Sequence, residues 1–162
     1  MTKKVRLTDS KVMDIQIWDT AGQERYHVIT PMFYQNSRGV LLVFDVTGKT
    51  SFQRIHKWIK SIKQSRAGDK IIKYLIGNKI DMEEDRVISR EQAEELAKEY
   101  DMKYFETSAY KRIGVQEAIE SLVREIHEGE LTDKIQKRTS FQLKKLENEK
   151  KDADTIKKCC HR

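Results

Sequence analysis

A polar segment of this 162-residue sequence, Gly77 to Asp81 with the sequence GNKID, combines side chains that could recognise a purine base. An Asn amide can donate to a purine N7, and a Lys stem can lie along the ring. A carboxylate that accepts two N–H bonds selects guanine over adenine. We therefore expect Asn78, Lys79 and Asp81 to read guanine.

Two further segments carry residues that suit the same ligand. In Glu106 to Ala109, ETSA, a backbone N–H could meet the guanine O6, and Ser108 could brace the Asp81 carboxylate. In residues 17–26, IWDTAGQERY, Asp19 could hold a water of Mg²⁺, a Gly amide could approach a terminal phosphate, and Gln23 could orient an attacking water.

Each segment alone is a weak signal, because an Asn-Lys-x-Asp tetrapeptide in a charged chain is more often a surface turn. Jointly they are strong, since each follows a predicted strand. In an open parallel sheet, ligands sit beyond the carboxyl ends of the strands. The loops after Trp18, Val46, Ile76 and Phe105 are therefore expected to converge on one pocket.

The hydrophobic pattern predicts an α/β fold with a mostly parallel sheet, because strands and helices alternate after an initial hairpin. The run GVLLVFDV is typical of a strand buried on both faces. Ser89 with Gln92 three residues later predicts a helix cap. The predicted strands are Lys3–Leu7, Val12–Trp18, Gly39–Val46, Ile71–Ile76 and Met102–Phe105, and the predicted helices are a short one after Pro31, Ser51–Ser65, one capped by Ser89 and Val115–Ile126.

DTAGQE, NKID and ETSA resemble the third, fourth and fifth guanine-nucleotide motifs of the Ras superfamily, and IQIWDTAGQERY and LLVFDVT resemble its Rab branch. The resemblance covers residues 3 to 128 and implies a P-loop NTPase-type, Ras-like G domain that binds GTP or GDP with Mg²⁺. It implies Gln23 as the catalytic residue, Asp19 on Mg²⁺ through water, and Trp18 and Phe33 as an effector surface. The implied nucleotide-binding residues are Asp19, Thr20, Ala21, Gly22, Asn78, Lys79, Asp81, Ser108, Ala109 and Tyr110.

The sequence departs from the family pattern in two respects. Tyr110 replaces the usual Lys after ETSA, and could cover the base by stacking. The printed sequence also starts at the family's second strand, so we expect the first strand, phosphate-binding loop, first helix and first switch loop to be absent. Gly48-Lys49-Thr50 mimics the end of a P-loop, but Val43 stands where that motif needs Gly, which predicts a turn before a helix.

The missing segments would be costly. Removing about five buried aliphatic residues costs about 8 to 15 kcal/mol, comparable with the roughly 5 to 15 kcal/mol that stabilises a whole domain. A domain starting here is expected to need a rearranged sheet, a partner strand or a chaperone. Losing four charge-assisted hydrogen bonds to phosphate costs about 6 kcal/mol, roughly four decades of affinity. The chain as written is therefore an incomplete G domain in which GTP hydrolysis is not expected.

The sequence after residue 128 is typical of a charged tail. We expect a G domain over 1–128 and a hypervariable tail over 129–162 that ends in KKCCHR. Adjacent Cys159 and Cys160 cannot cross-link a fold and resemble a Rab double-geranylgeranylation signal, the alternative being unmodified cysteines. Two isoprenoids would anchor the protein, and nearby lysines would favour an anionic leaflet.

The composition narrows the function further. Basic and acidic residues alternate through most of the chain, which argues against nucleic acid, and no run approaches a membrane span. The resemblance implies a switch in vesicle trafficking on the cytoplasmic face of intracellular membranes, cycling with the cytosol. It implies effectors, exchange and GTPase-activating factors and the prenylation machinery as partners. The alternative is a nucleotide-free Rab-like protein that binds effectors or the prenylation machinery.

Overall fold

The structure, a computed structural model, describes residues 1–8, 11–19, 34, 36–65, 70–132 and 136. The chain divides into a first unit, Met1–Ile126, and a second unit, His127–Arg162. In the second unit, residues 127–132 and 136 are described and are helical. Thr132 Oγ1 there donates a hydrogen bond of 3.0 Å to the Glu128 carbonyl, one turn back.

The first unit alternates strands and helices, which confirms the predicted α/β fold. It begins with two strands and continues as three strands separated by helices, with one short 3₁₀ turn. The elements are β1 Thr2–Thr8, β2 Lys11–Gln16, β3 Gly39–Asp45, α1 Lys49–Gln64, β4 Ile72–Asn78, the 3₁₀ turn Glu83–Asp85, α2 Arg90–Glu99 and β5 Lys103–Thr107. A final helix, α3, begins at residue 115 and reaches residue 126 at the end of this unit.

The described strands form two separate sheets. β1 and β2 pair antiparallel as a hairpin, with Val5 opposite Met13 and an irregularity between Arg6 and Thr8. β3, β4 and β5 pair parallel in that order, so β4 is central and β3 lies at an edge. Parallel sheets are normally covered by the helices that connect their strands. Here α1 connects β3 to β4 and α2 connects β4 to β5, and both pack on the sheet.

The main core lies between one face of the parallel sheet and the helices α1 and α2. α1 places Ile55, Ile59 and Ile62 on one side, at the spacing of three and four residues that the sequence predicted. These side chains pack against alternate residues of β3, Leu42 and Phe44, in one continuous buried cluster. α2 adds further buried residues to the same cluster, namely Ala93, Leu96 and Ala97.

The second face of the sheet is covered by α3. Ala118 and Leu122 of this helix pack with Tyr74 and Ile76 of β4. The prediction that β3 is buried on both faces is wrong at Val43, which is 56% exposed. Of the described residues, α3 covers the start of β3 near Gly39 and Leu41 but leaves Val43 open to solvent.

One predicted helix start is confirmed at Ser89, and α1 begins at Lys49, two residues before its predicted start at Ser51. Ser89 caps α2 with a capping box, in which its side chain accepts from the Gln92 N–H and the Gln92 side chain accepts from the Ser89 N–H. Gly48 is the N-cap of α1, and its carbonyl accepts from the Ser51 hydroxyl at 2.7 Å. The segment that mimics a P-loop is therefore the turn into a helix.

Candidate functional site

The loops that follow β4 and β5 lie side by side at the carboxyl edge of the parallel sheet. Asn78 and Thr107 are partners in the strand register, so both loops leave the sheet at the same level. The Ile80 N–H then donates to the Thr107 carbonyl at 3.2 Å, which ties the first loop to the second. The GNKID and ETSA segments are thus joined, as the convergence of parallel strands predicted.

The side chain of Asn78 is fixed in one orientation. Its Oδ1 accepts from Thr107 Oγ1 at 3.1 Å and from the Ala109 N–H at 3.0 Å. A backbone N–H can only donate, so the atom facing Ala109 must be the amide oxygen. The Nδ2 group then has no hydrogen-bond acceptor among the described residues and is available to a ligand such as a purine N7.

Ser108 and Asp81 form the second contact between the loops. Ser108 is fully buried, and its hydroxyl donates to Asp81 Oδ1. The Lys111 N–H donates to the same hydroxyl oxygen at 2.9 Å, so the Ser108 proton is directed to the carboxylate. One Asp81 oxygen is held in this way, and no hydrogen bond reaches the other oxygen within the described part of the chain.

Lys79 lies between these two groups in a left-handed conformation, with φ 70°. This conformation is uncommon outside glycine and concentrates at functional sites. The Lys79 ammonium pairs with Asp45 Oδ2 at 2.6 Å, and this pairing raises the Lys79 pKa. Partial burial opposes ionisation of Asp45, but hydrogen bonds from Lys79 and Thr47 outweigh it and lower the Asp45 pKa. The lysine stem is therefore held across the mouth of the site.

Asp45 is a residue that the sequence analysis did not identify. It ends β3, and its Oδ1 also accepts from the Thr47 N–H at 2.9 Å and the Thr47 hydroxyl at 2.7 Å. The signal was present, because the loop after Val46 was expected to reach the same edge of the sheet. Its polar residues simply matched no nucleotide motif.

A second cluster of side chains that the sequence analysis did not identify supports the start of the ETSA segment. Glu106 Oε1 accepts from Tyr104 Oη at 2.9 Å and from Arg86 Nη1 at 3.0 Å. Burial, followed by the hydrogen bond to Glu106, raises the Tyr104 pKa well above its ordinary value. Arg86 also pairs with Glu83 at 2.9 Å. No sequence motif marks such a cluster, because Arg86 and Glu106 meet only through the fold.

The base-binding candidates open onto one groove of ≈ 480 Å³. Met82 contributes an apolar wall that the sequence analysis did not name. Tyr110 lines the groove and is 88% exposed. The Ala109 N–H is already bonded to Asn78, whereas the Tyr110 N–H makes no hydrogen bond within the described structure. The lining residues are Asn78, Lys79, Asp81, Met82, Ala109 and Tyr110.

The phosphate side of the expected pocket is described only at its start. Asp19 follows β2 and is exposed, and Trp18 beside it is 69% exposed. Across the described residues, no group of three or more His, Cys, Asp and Glu side chains could hold a metal ion. Several predicted site residues lie outside the described residues, namely Thr20, Ala21, Gly22, Gln23, Phe33, Cys159 and Cys160.

Two other predictions concern the segment after Pro31 and the membrane. Tyr34, expected in a short helix, is helical and belongs to the main core, with 5% of its surface exposed. Where the structure is described, no helix is both long and apolar enough to cross a bilayer.

Comparison with known proteins places the chain among its relatives. A sequence model of the Ras family matches residues 1–128. The chain is 47% identical over 118 residues to the Ras-related protein Rab-13 of Rattus norvegicus, covering 73% of this chain and 58% of that protein. It is 40% identical over 152 residues to the GTP-binding protein ypt2 of Schizosaccharomyces pombe, covering 94% of this chain and 74% of that protein.

A third relative is the Ras-related protein Rab-10 of Diplobatis ommata, 37% identical over 164 residues that cover 98% of this chain and 76% of that protein. The chain spans only 58% to 61% of the length of the Rab-13 sequences it matches. Since the Ras model covers most of the chain and Rab proteins match it nearly end to end, the chain belongs to the Ras family, as a Rab-type small GTPase.

Proposed function

We propose that this protein is a guanine-nucleotide-dependent switch in vesicle trafficking, and that the groove between the GNKID and ETSA loops holds the guanine base. The observation that carries the proposal is the pairing of two oriented groups at this groove. Asn78 presents its Nδ2 group as a donor, and Asp81 presents a carboxylate oxygen as an acceptor. Guanine offers an N7 acceptor and adjacent N1–H and N2–H donors, which match these two groups.

Adenine fits the same pair poorly. It has no donor at N1, so the Asp81 carboxylate would face a lone pair and be left without a partner. Leaving a buried or half-buried charge without a partner costs more than losing a hydrogen bond between neutral groups. A hydrogen bond to a charged group contributes about 1.5–3 kcal/mol. Selectivity for guanine therefore comes from Asp81 and from the Ser108 hydroxyl that fixes it.

We further propose that phosphate binding by these 162 residues alone is weak. The printed sequence contains no G-x-x-x-x-G-K-[ST] motif, and the Gly48-Lys49-Thr50 segment is a helix N-terminus. In a complete site, bound Mg²⁺ neutralises charge on the phosphates. In this proposal Asp19 would hold a water of that ion, and Gln23 would orient the attacking water. Without a clamped phosphate, Gln23 has no target, so GTP hydrolysis is not expected of this chain by itself.

Membrane attachment forms the third part of the proposal. Cys159 and Cys160 would each carry a geranylgeranyl group, and two such chains give durable anchoring where one does not. The protein would then act on the cytoplasmic face of intracellular membranes. Exchange factors, GTPase-activating factors, effectors and the prenylation machinery are its expected partners, with Trp18 and Phe33 on the effector side.

A second candidate function is a Rab-like protein that binds effectors or the prenylation machinery without nucleotide. The observation that favours it is the exposed indole of Trp18, with 69% of its surface open to solvent. Large aromatic side chains are enriched at the centres of protein interfaces. This candidate requires no phosphate contacts, so it is compatible with the absence of the P-loop motif from the printed sequence.

The proposed base site can be tested by changing its specificity with Asp81→Asn. The Asn carbonyl would keep the hydrogen bond from Ser108, so its Nδ2 would point into the groove as a donor. We expect preference to move from guanosine to xanthosine, whose C2 carbonyl accepts where guanine donates. Saturation-transfer NMR on the full chain would measure this, with Asp85→Asn in the exposed 3₁₀ turn as the matched control. An unchanged order of preference in Asp81→Asn would disprove the assignment.

A further inference from the structure

Helix α1 has an unusual distribution of charge. Its sixteen residues, Lys49–Gln64, include five basic residues and no Asp or Glu. α2 has two basic and four acidic residues over Arg90–Glu99, so its charge has the opposite sign. α1 is therefore an exception to the alternation of acidic and basic residues that holds through most of the chain.

The basic residues of α1 all lie on its exposed side. Ile55, Ile59 and Ile62 face the core, and every basic residue of the helix is exposed. Four of them recur at intervals of three residues, which makes them neighbours along the helix surface. They are Arg54, Lys57, Lys60 and Lys63, with Lys49 at the first turn.

Intramolecular contacts leave the middle of this surface uncompensated. Lys63 lies over the Tyr100 ring at 5.1 Å, a contact that leaves its positive charge in place. Lys57 and Lys60 contact no carboxylate among the described residues. We define the α1 basic face as Lys49, Arg54, Lys57, Lys60 and Lys63, which lie along a helix of roughly 24 Å. Its uncompensated positive charge is centred on Lys57 and Lys60.

The chemistry of this face indicates its partner. Protein interfaces centre on a buried apolar patch with charges at the rim, and the outer side of α1 has no large exposed hydrophobic residue. Stacking platforms for single-stranded nucleic acid need exposed aromatic rings, whereas the exposed His56 ring on this helix is already engaged by Tyr100 and Trp58 is half-buried. A surface that offers positive charge alone matches the diffuse negative field of an anionic lipid leaflet.

We propose that the α1 basic face docks the protein on anionic lipid headgroups and so orients the G domain on the membrane. This inference rests on the proposed membrane attachment, which would bring the domain within a Debye length of the leaflet. Each lysine near such a surface contributes roughly a fivefold gain in affinity. The face would add to the terminal anchor and would act whether or not nucleotide is bound.

The test measures sedimentation of the unprenylated full chain with vesicles of phosphatidylcholine, either alone or with about 30 mol% phosphatidylserine. The phosphatidylserine gives the vesicles a strongly negative surface. The variant Lys57→Glu with Lys60→Glu should lower binding to the anionic vesicles by about tenfold or more. The control Lys98→Glu with Arg124→Glu makes the same change in net charge on α2 and α3 and should lower it less than threefold. Raising salt from 50 to 300 mM should remove most of the difference.

Three results would overturn the proposal. These are equal binding of wild type and the α1 variant, an equal loss in the control variant, or equal binding of wild type to neutral vesicles. Urea unfolding of each variant checks the fold, since all four side chains are exposed. Guanosine binding by the α1 variant is measured as well. If the variant still binds guanosine, its loss of vesicle binding is independent of the proposed base site.

Discussion

The two faces of the parallel sheet differ in how well they are covered. On one face, α1 and α2 bury Leu42 and Phe44 of β3, with Phe44 only 1% exposed. On the other face, α3 covers β4 and β5, but Val43 of β3 is 56% exposed. Adjacent residues of a single strand therefore lie in opposite environments.

This difference shows which parts of the site the described chain can support. β4, the central strand, is buried on both faces, with Leu75 against α1 and α2 and Tyr74 and Ile76 against α3. It carries the GNKID loop directly at its carboxyl end. The proposed base site therefore lies at the end of a strand that is buried on both faces, whereas β3, among the described residues, pairs with a strand on one side only and leaves Val43 exposed.

The largest expected effect contrasts neighbouring residues of β3. Phe44→Ala should lower the free energy of unfolding by about 3–5 kcal/mol, since it removes a ring packed at 4.9 Å from Phe52. Val43→Ala should cost at most about 0.5 kcal/mol, because its side chain is largely in water. Urea unfolding of the pair measures both, with Phe44→Leu as a milder core variant. A large loss in Val43→Ala would mean that something covers this face.

A smaller effect is expected from the α3 side. Leu122→Ala should destabilise by about 2–3 kcal/mol, the lower part of the range for core leucines, because this face has fewer buried neighbours. Glu117→Ala, exposed on the same helix, is the matched control and should change little. A loss as large as that of Phe44→Ala would contradict the difference between the faces.

The loop between β5 and α3 can be tested at Gly114, which has φ 72°. A Cβ there would lie 2.4 Å from the Glu106 carbonyl oxygen, a backbone atom that cannot move cheaply. Gly114→Ala should cost about 1–3 kcal/mol and speed hydrogen exchange at Ser108. Gly129→Ala is the matched control, because a Cβ at Gly129 meets nothing within 4 Å. An undisturbed Ser108 amide in Gly114→Ala would show that this loop does not hold the site.

The smallest effect concerns the Asp45–Lys79 pair. The lowered pKa of Asp45 contributes stability above its ordinary value near 3.8, and that contribution is lost as the pH falls through the lowered pKa. The raised pKa of Lys79 contributes below about 10.5 and is lost above it. Asp45→Asn should therefore lower the free energy of unfolding slightly between pH 5 and 9, and this loss should shrink as the pH falls below 3.8. A loss in Asp45→Asn that stays the same as the pH falls from 5 to well below 3.8 would show that the charge pair does not cause it.

The sequence predicted most of the fold because its signals are local. Periodic apolar residues identified α1, and the Ser89 and Gln92 pair identified the start of α2. The failure at Val43 has a different cause. An aliphatic run shows that a strand can be buried on both faces, but whether anything covers it depends on other parts of the chain.

The candidate site was predictable to the extent that it follows motifs. Asn78 bonds to Thr107 and Ala109, and Asp81 bonds to Ser108, so the two loops meet as the order of strands required. Asp45 and the Arg86–Glu106 pair were missed, because their partners are 34 and 20 residues away and no spacing marks them. Such pairs become visible only when the strands carrying them are aligned.

The central claim is that the described loops recognise guanine while the printed chain lacks strong phosphate contacts. NMR titration of the full chain with guanosine, adenosine and GTP, each with and without Mg²⁺, tests it most directly. We predict guanosine binding in about the millimolar range, no detectable adenosine binding, and GTP binding within about tenfold of guanosine regardless of Mg²⁺. Micromolar or tighter GTP binding that depends on Mg²⁺, or equal binding of adenosine and guanosine, would contradict the account.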